Sequence, residues 1–241
     1  MFDMKTQFPA RLALLIALIA AGCGPRTAPV LPPAGGFPPD FPAGFYSSVP
    51  RDAMYRITSA RSSLKLKVYR TGPLAALGHN HVIESHVDGF VYLADDLANA
   101  RADLFVPVAG FVVDDAAARA AAGPDFATQP TDEDIEGTRA NMLGPKLLDA
   151  KAWPFVVVHV APIHVGEQST QVQLTIQIRG HAAVVPADVH WTRTGNELSI
   201  VGSFDVDHAT LGLEPFSALG GALRVADKIS VAVSLTATSS G

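Results

Sequence analysis

Cysteine is almost absent from this chain: Cys23 is the only one in 241 residues. That excludes an internal disulfide and any multi-cysteine zinc or iron–sulfur centre. Basic clusters are missing too. Lys and Arg number 18 against 23 Asp and Glu, for a formal net charge of −5, and no Lys/Arg run could form a phosphate-binding face. A nucleic-acid binder is excluded on that ground. Charged residues of both signs make up only 17% of the chain while 48% is hydrophobic, which is too apolar for a disordered protein. Beyond the N-terminus no apolar run reaches the ~20 residues of a membrane-spanning helix. The common catalytic signatures are also lacking: no Gly-x-Ser-x-Gly elbow, no HExxH, no phosphate loop, no dinucleotide fingerprint. Ser217, in PFSALGG, has no recognisable base nearby in sequence. The expectation is a protein that is not an enzyme and has no catalytic residue.

What is present begins with an address. Lys5 and Arg11 flank a charged start, Leu12 to Ala21 is apolar, and small residues lead to Cys23. Residues 1–22 therefore read as a secretory signal, too short to span a bilayer as a helix. The only cysteine stands where a bacterial lipoprotein is cut and acylated, and the segment resembles that processing site, with Ala20 in place of the usual Leu. Acyl chains on Cys23 would hold the chain stably on a membrane at ~0.8 kcal/mol per buried CH₂. Gly24 follows without the Asp of an inner-membrane signal. The expected location is the bacterial cell envelope, lipid-anchored at the outer membrane and facing the periplasm. Residues 23–51 are dense in Pro and Gly and read as an extended tether. The remaining 52–241 form one domain.

That domain alternates apolar and polar residues with period two, the mark of strands with two different faces. Leu64, Leu66 and Val68 alternate with Lys65 and Lys67. Val172, Leu174, Ile176 and Ile178 alternate with Gln171, Gln173, Thr175 and Gln177. Leu198, Ile200, Phe204 and Val206 share one parity, and Ile229, Val231, Val233 and Leu235 another. Further strands are expected at 81–93, 101–108, 155–165 and 184–193, with turns at Gly166, Gly180, Gly195 and Gly220-Gly221. Eight such strands suit an antiparallel sheet closed on itself, because closure removes exposed edges. Residues 114–150 break the pattern. DDAAARAAAG is rich in helix formers and stops at Gly123-Pro124. In TDEDIEGTRANMLGPKLLDA, Thr131 is placed to cap a helix with acids in its first turn. Ile135, Met142, Leu147 and Leu148 could then face the sheet. This excursion reads either as a lid across one end or as a surface elaboration.

The order of four segments resembles the YceI-like family: YRITSARSSLKLKVYRTGPLAALGHNHVIESHVDGFVYL, DEDIEGTRANMLGPKLLDAKAWPFVVVHV, LTIQIRGHAAVVPADVHW and FDVDHATLGLEPFSALGGALRVADKISVAVSL. They span about residues 55–237. Many members carry Arg-Asp where this chain has Arg139-Ala140, and the chain resembles the subgroup with Gly-His-Asn-His. The resemblance implies an all-β fold, an antiparallel eight-stranded lipocalin-like barrel with a short helical excursion (about 114–150) across one end. It further implies a ligand of isoprenoid or quinone type.

Parity places Leu66, Val68, Val91, Leu104, Val106, Val158, Leu174, Ile176, Ile200, Phe204, Val231 and Val233 on the inner wall. They would either line a ligand cavity or pack on one another, and the resemblance favours the cavity. Burying one isoprene unit is worth on the order of 4 kcal/mol, against an association cost of ~4–15 kcal/mol, so a few units suffice without a charged contact. A polar head needs another contact. In Gly78-His79-Asn80-His81 the two imidazoles point to one face if the segment is extended. His79, His81 and Arg139 are the candidates for a polar mouth that holds a lipid head. The same His79 and His81 could hold a divalent metal, the rival cofactor, but zinc needs a third protein ligand, and His159, His190 or His208 would have to supply it. Glu84 and His86 lie on the opposite parity.

The leading expectation is a membrane-anchored periplasmic protein that sequesters a long apolar lipid inside a β-barrel. A metal-binding or metal-dependent protein using His79/His81 is one alternative. An envelope-stress protein acting through protein partners is another. The expected partners are the apolar lipid, the membrane through acylated Cys23, and a second copy in a homodimer.

Overall fold

A computed structural model of the chain describes residues 36–166 and 169–239. The signal segment 1–22 and Cys23 lie outside the described residues.

Twelve strands form one sheet, and their order shows how it closes. They are β1 (Met54–Ile57), β2 (Ser63–Thr71), β3 (His81–Ser85), β4 (Asp88–Tyr92), β5 (Arg101–Pro107), β6 (Val112–Val113), β7 (Phe155–Val165), β8 (Thr170–Ile178), β9 (His181–Thr194), β10 (Glu197–Asp207), β11 (Ser217–Ala218) and β12 (Leu223–Ser239). Neighbours pair antiparallel from β4 through β5, β7, β8, β9 and β10 to β12. The ring shuts because β1 pairs with both β4 and β12, through Tyr55↔Val91 and Tyr55↔Ser239. β2 continues β1 after a short turn and pairs with β12 and β3, while β6 extends β3's edge. With β1/β2, β3/β4 and β5/β6 counted as interrupted single strands, the wall is the expected eight-stranded antiparallel barrel. One close approach within it depends on glycine. At Gly89 (φ +138) a Cβ would stand 2.2 Å from the Asp103 carbonyl oxygen on β5, so no other residue fits.

The helical excursion divides into two parts. α2 (Ala116–Ala121) is capped by Asp115, whose carboxylate accepts from the Ala117 and Ala118 amides. It lies outside the wall, where Ala118, Ala122 and Phe126 cover Val82 and Tyr69. α3 (Asp132–Leu143) begins with the expected cap: the Thr131 side chain accepts from the Asp134 amide, and Asp134 accepts from the Thr131 amide. From α3 the chain crosses the barrel end. Met142 and Leu148 are buried in the main core, with Ile135, Leu143 and Leu147 packed beside them. The lid reading therefore describes residues 132–150, and the surface reading describes α2.

The tether does not extend to residue 51. From Phe37 onward the chain lies against the outer wall. Phe37, Phe41, Phe90 and Phe105 form one aromatic cluster, and Tyr46, on the short helix α1 (Ala43–Ser48), stacks on Phe90. Phe41 and Tyr46 are buried. The burial of those rings outweighs the extended bias of the surrounding prolines.

Candidate functional site

Inside the wall the side chains pack on their neighbours but do not fill the centre. They surround a cavity of about 1140 Å³, and all twelve residues placed on the inner face by parity line it. β8 contributes Thr170, Val172, Leu174, Ile176 and Ile178, its entire inward face. Eight steps of about 3.3 Å make about 26 Å of wall, so the cavity is long as well as wide. Trp191 stands at one side, its indole N–H donating to Thr170 Oγ1 at 3.2 Å. Met142, Leu147 and Leu148 from the lid segment line the other end.

Polar groups line both ends, Arg101, Thr170 and Asp188 at one and a histidine pair at the lidded other. His79 and His81 both line the cavity, their ring centroids 6.4 Å apart. The segment that carries them is clamped. The Asn80 side chain accepts from the Arg70 amide and donates to the Asp125 carbonyl, and Arg70 donates to the Gly78 carbonyl. His81 is held further by a buried charge pair. Its Nδ1 lies 2.6 Å from Asp114 Oδ2, and Asp114 Oδ1 accepts from the Val82 amide at 2.9 Å and from Arg119 Nη1 at 2.5 Å. The Asp114 and Arg119 side chains are 0% and 1% exposed. Arg119 also donates to the Asn80 and Phe126 carbonyls. Burial pushes the Asp114 carboxyl up, but the bonds from His81, Val82 and Arg119 overcome it and hold the group below the ordinary carboxylate range. An ionised carboxylate only accepts, so His81 Nδ1 carries the hydrogen. Nε2 then accepts when the ring is neutral and donates when it is protonated. This support was not foreseen. Asp114 lies 33 residues from His81 and sits at φ +54, in the left-handed region.

Arg139 is not part of this mouth. It is absent from the cavity lining, and its guanidinium donates to the Ala109 carbonyl at 3.3 Å. On α3 it is Thr138, Asn141 and Met142 that face inward. The cations that do line the cavity are Arg70, Arg101, Lys146, Arg179 and Arg224. Isolated in turns and strand ends, they give no sequence pattern.

The metal set does not assemble. Among the described residues no three His, Cys, Asp or Glu side chains converge to hold an ion. His159 is on the outer face, bonded to Asp103, and His190 is exposed. His208 lines the cavity but donates to the Asp227 carbonyl at 2.7 Å. Of the opposite-parity pair, Glu84 meets Lys65 at 3.0 Å and His86 contacts the Ser59 carbonyl.

A second polar cluster sits outside the wall. Asp103, wholly buried, accepts from Arg101 Nε and Nη2 at 2.9 Å, from the Tyr46 hydroxyl at 2.5 Å, and from His159 Nδ1. The Arg101 guanidinium also lies over the Phe45 ring, 4.5 Å from its centroid. Burial pushes Asp103 up, but the bonds from Arg101, His159 and Tyr46 prevail and hold it low. Burial and the hydrogen bond to Asp103 push the Tyr46 phenol above its usual range. The cluster fixes the segment 36–48 to the barrel.

No family model matches the sequence, and no curated protein matches it. Solved structures do. BcnA of Burkholderia cenocepacia shares 16% identity at a TM-score of 0.53, over 76% of this chain and 99% of that one. A YceI protein of Campylobacter jejuni shares 9% identity at a TM-score of 0.45, over 64% of this chain and 82% of that one. At such identity the likeness to BcnA shows a common fold.

Proposed function

We propose that this chain is a YceI-like carrier that sequesters one long apolar lipid, of isoprenoid or quinone type, in the barrel. One observation carries the reading: a cavity of about 1140 Å³ whose wall is mainly apolar along the length of β8, with charged and polar side chains toward its ends. Ligand pockets usually hold ~300–1,000 Å³, and an elongated apolar one matches a chain rather than a compact molecule. The tail lies along Leu174, Ile176, Val158 and Val231. The head lies at the lidded end beside His79 and His81. There Asp114 fixes the His81 ring, leaving Nε2 to meet a hydroxyl, a carbonyl or a phosphate. Anchoring through acylated Cys23, on the periplasmic side of the outer membrane, belongs to the same proposal and rests on the N-terminal sequence. Homodimerisation is a further part that nothing in the cavity requires.

Protein purified from its own host, extracted with organic solvent and measured by native mass spectrometry, tests the reading. The expected result is one long-chain lipid per barrel, lost in an Ile176→Trp variant that fills the middle of the cavity. Lipid-free protein that also takes up no polyprenyl alcohol, quinone or phosphate would sink it.

A further inference from the structure

The inward face of β9 is built from small side chains until it nears the end of the cavity away from the lid. The β8–β9 turn lies at the lidded end, where Arg179 donates to the Pro145, Lys146 and Leu147 carbonyls. From there Ala183, Val185, Ala187 and Val189 follow one another inward-facing, and the next position of that parity is Trp191. β8 gives out just before that level. Its first residue, Thr170, pairs with Val189, so Trp191 stands two residues past the last pair of the β8–β9 ladder. A diagonal neighbour at that spacing is within reach of an aromatic side chain. The indole does reach back: its N–H donates to Thr170 Oγ1 at 3.2 Å, and both residues line the cavity. The ring is thereby folded over the end of β8 instead of pointing away from the barrel.

The polar groups of this far end are already engaged. Arg101 donates to the buried Asp103 and lies over the Phe45 ring, both outside the wall. Thr170 Oγ1 accepts from the indole, and Asp188 is exposed on the outward parity of β9. What is left for a guest is apolar: Leu93, Leu97, Ala100 and Val165, with the half-buried indole beside them. Trp191 is the largest of these side chains, and its hydrogen bond holds it in place.

We infer that Trp191 is a specificity-determining residue: its indole is the stop against which the tail of the lipid ends, and it sets the longest tail the barrel accepts. This rests on the carrier reading and extends it from a class of lipid to a limit on its length. About 26 Å of wall separates the lidded end of β8 from Thr170, and a tail held at its head cannot slide past a ring anchored there. A longer tail has to displace the indole, break its bond to Thr170 and leave its surplus units in water. A shorter one only leaves apolar wall uncovered. Selection is therefore sharp on the long side and gradual on the short side.

The test is competition among polyprenyl alcohols of increasing length, offered in equal amounts to the delipidated full chain and read by native mass spectrometry, with the matching quinones and phosphates run in parallel. The parent takes tails up to a limit and discriminates against the next length. Trp191→Ala moves that limit up by one or more isoprene units. The ratio of the two lengths that flank the parent's limit changes by about tenfold or more, the worth of about two buried methylene groups. A merely structural loss would weaken all lengths together and leave the limit where it is. A second measurement does not depend on that variant folding. Trp153 and Trp191 are the only tryptophans, and Trp153 is exposed, so Trp153→Phe leaves the emission of Trp191 alone. Bromine quenches an indole at contact distance. A polyprenyl alcohol brominated on its last isoprene unit should quench Trp191, and one brominated on its first unit should not. An unchanged limit in folded Trp191→Ala, no limit in the parent, or equal quenching by the two brominated lipids overturns the inference and leaves the carrier reading in place. Uptake of no alcohol, quinone or phosphate of any length defeats the carrier reading itself, and the end stop with it.

Discussion

Asp114→Asn keeps the shape of the side chain and removes its charge, which leaves the Arg119 guanidinium buried without a counter-ion. Breaking a buried pair in this way costs about 3–5 kcal/mol, and urea unfolding of the variant should show a loss in that range. His81→Ala leaves the Asp114–Arg119 pair in place and is expected to reduce stability less, while weakening retention of a lipid with a polar head. The pH dependence follows from the two buried carboxyl groups that are held low. Asp103 and Asp114 are held below the ordinary carboxylate value in the folded state. A depressed folded value means stability that is present above the unfolded value and lost as pH falls through the folded one. Acid titration of unfolding should therefore show stability dropping below about pH 4, and the drop should flatten in Asp103→Asn and in Asp114→Asn. The histidines were legible in the sequence, because Gly-His-Asn-His is a compact pattern. Asp114 and Arg119 were not, since their role depends on a turn that brings residues from distant segments together. Arg139 was misplaced for a related reason. Ile135 and Met142 alone do not define which way α3 is rotated, so its inward face could not be fixed.

At the scale of elements, the segment 36–48 is predicted to act as part of the wall. Tyr46→Phe removes one hydrogen bond to a buried carboxylate and should cost about 1.5–3 kcal/mol, measured by thermal or urea unfolding. Limited proteolysis should then cut first near Ser47–Pro50 in the variant, and later or elsewhere in the parent. Gly89→Ala drives a methyl group into the Asp103 carbonyl and should abolish the native fold, seen as loss of the cooperative transition. The strands themselves were legible, because alternation with period two sets both the element and the face it buries. The docked N-terminal segment was misread because proline density suggested a tether. The contrary signal was present in Phe37, Phe41, Phe45 and Tyr46, four aromatics within ten residues that an unattached linker has no reason to carry. The excursion was read as one unit, although Gly123-Pro124 separates a helix that covers the wall from one that crosses the end.

For the molecule as a whole, the cavity couples cargo to stability. A ligand that binds only the closed barrel stabilises it by about 2.7 kcal/mol at a hundred times its Kd. Delipidated protein should accordingly melt lower than protein carrying its cargo, and re-addition of a polyprenyl lipid should restore the difference. Ile176→Trp should narrow that gap by removing the space. Alternation predicted which residues face inward but not whether they touch, because hollowness depends on the number and tilt of strands rather than on any one of them. The closing strand adds a temporal consequence. β12, seventeen residues long, follows the other eleven strands in chain order, and among the described residues it alone joins β10 to both β1 and β2. Until those residues leave the ribosome, the earlier strands form an open curved sheet with two raw margins. A chain cut before Ala237 loses the seam that Ala237 to Ser239 form with Tyr55–Ile57, and with it the vessel.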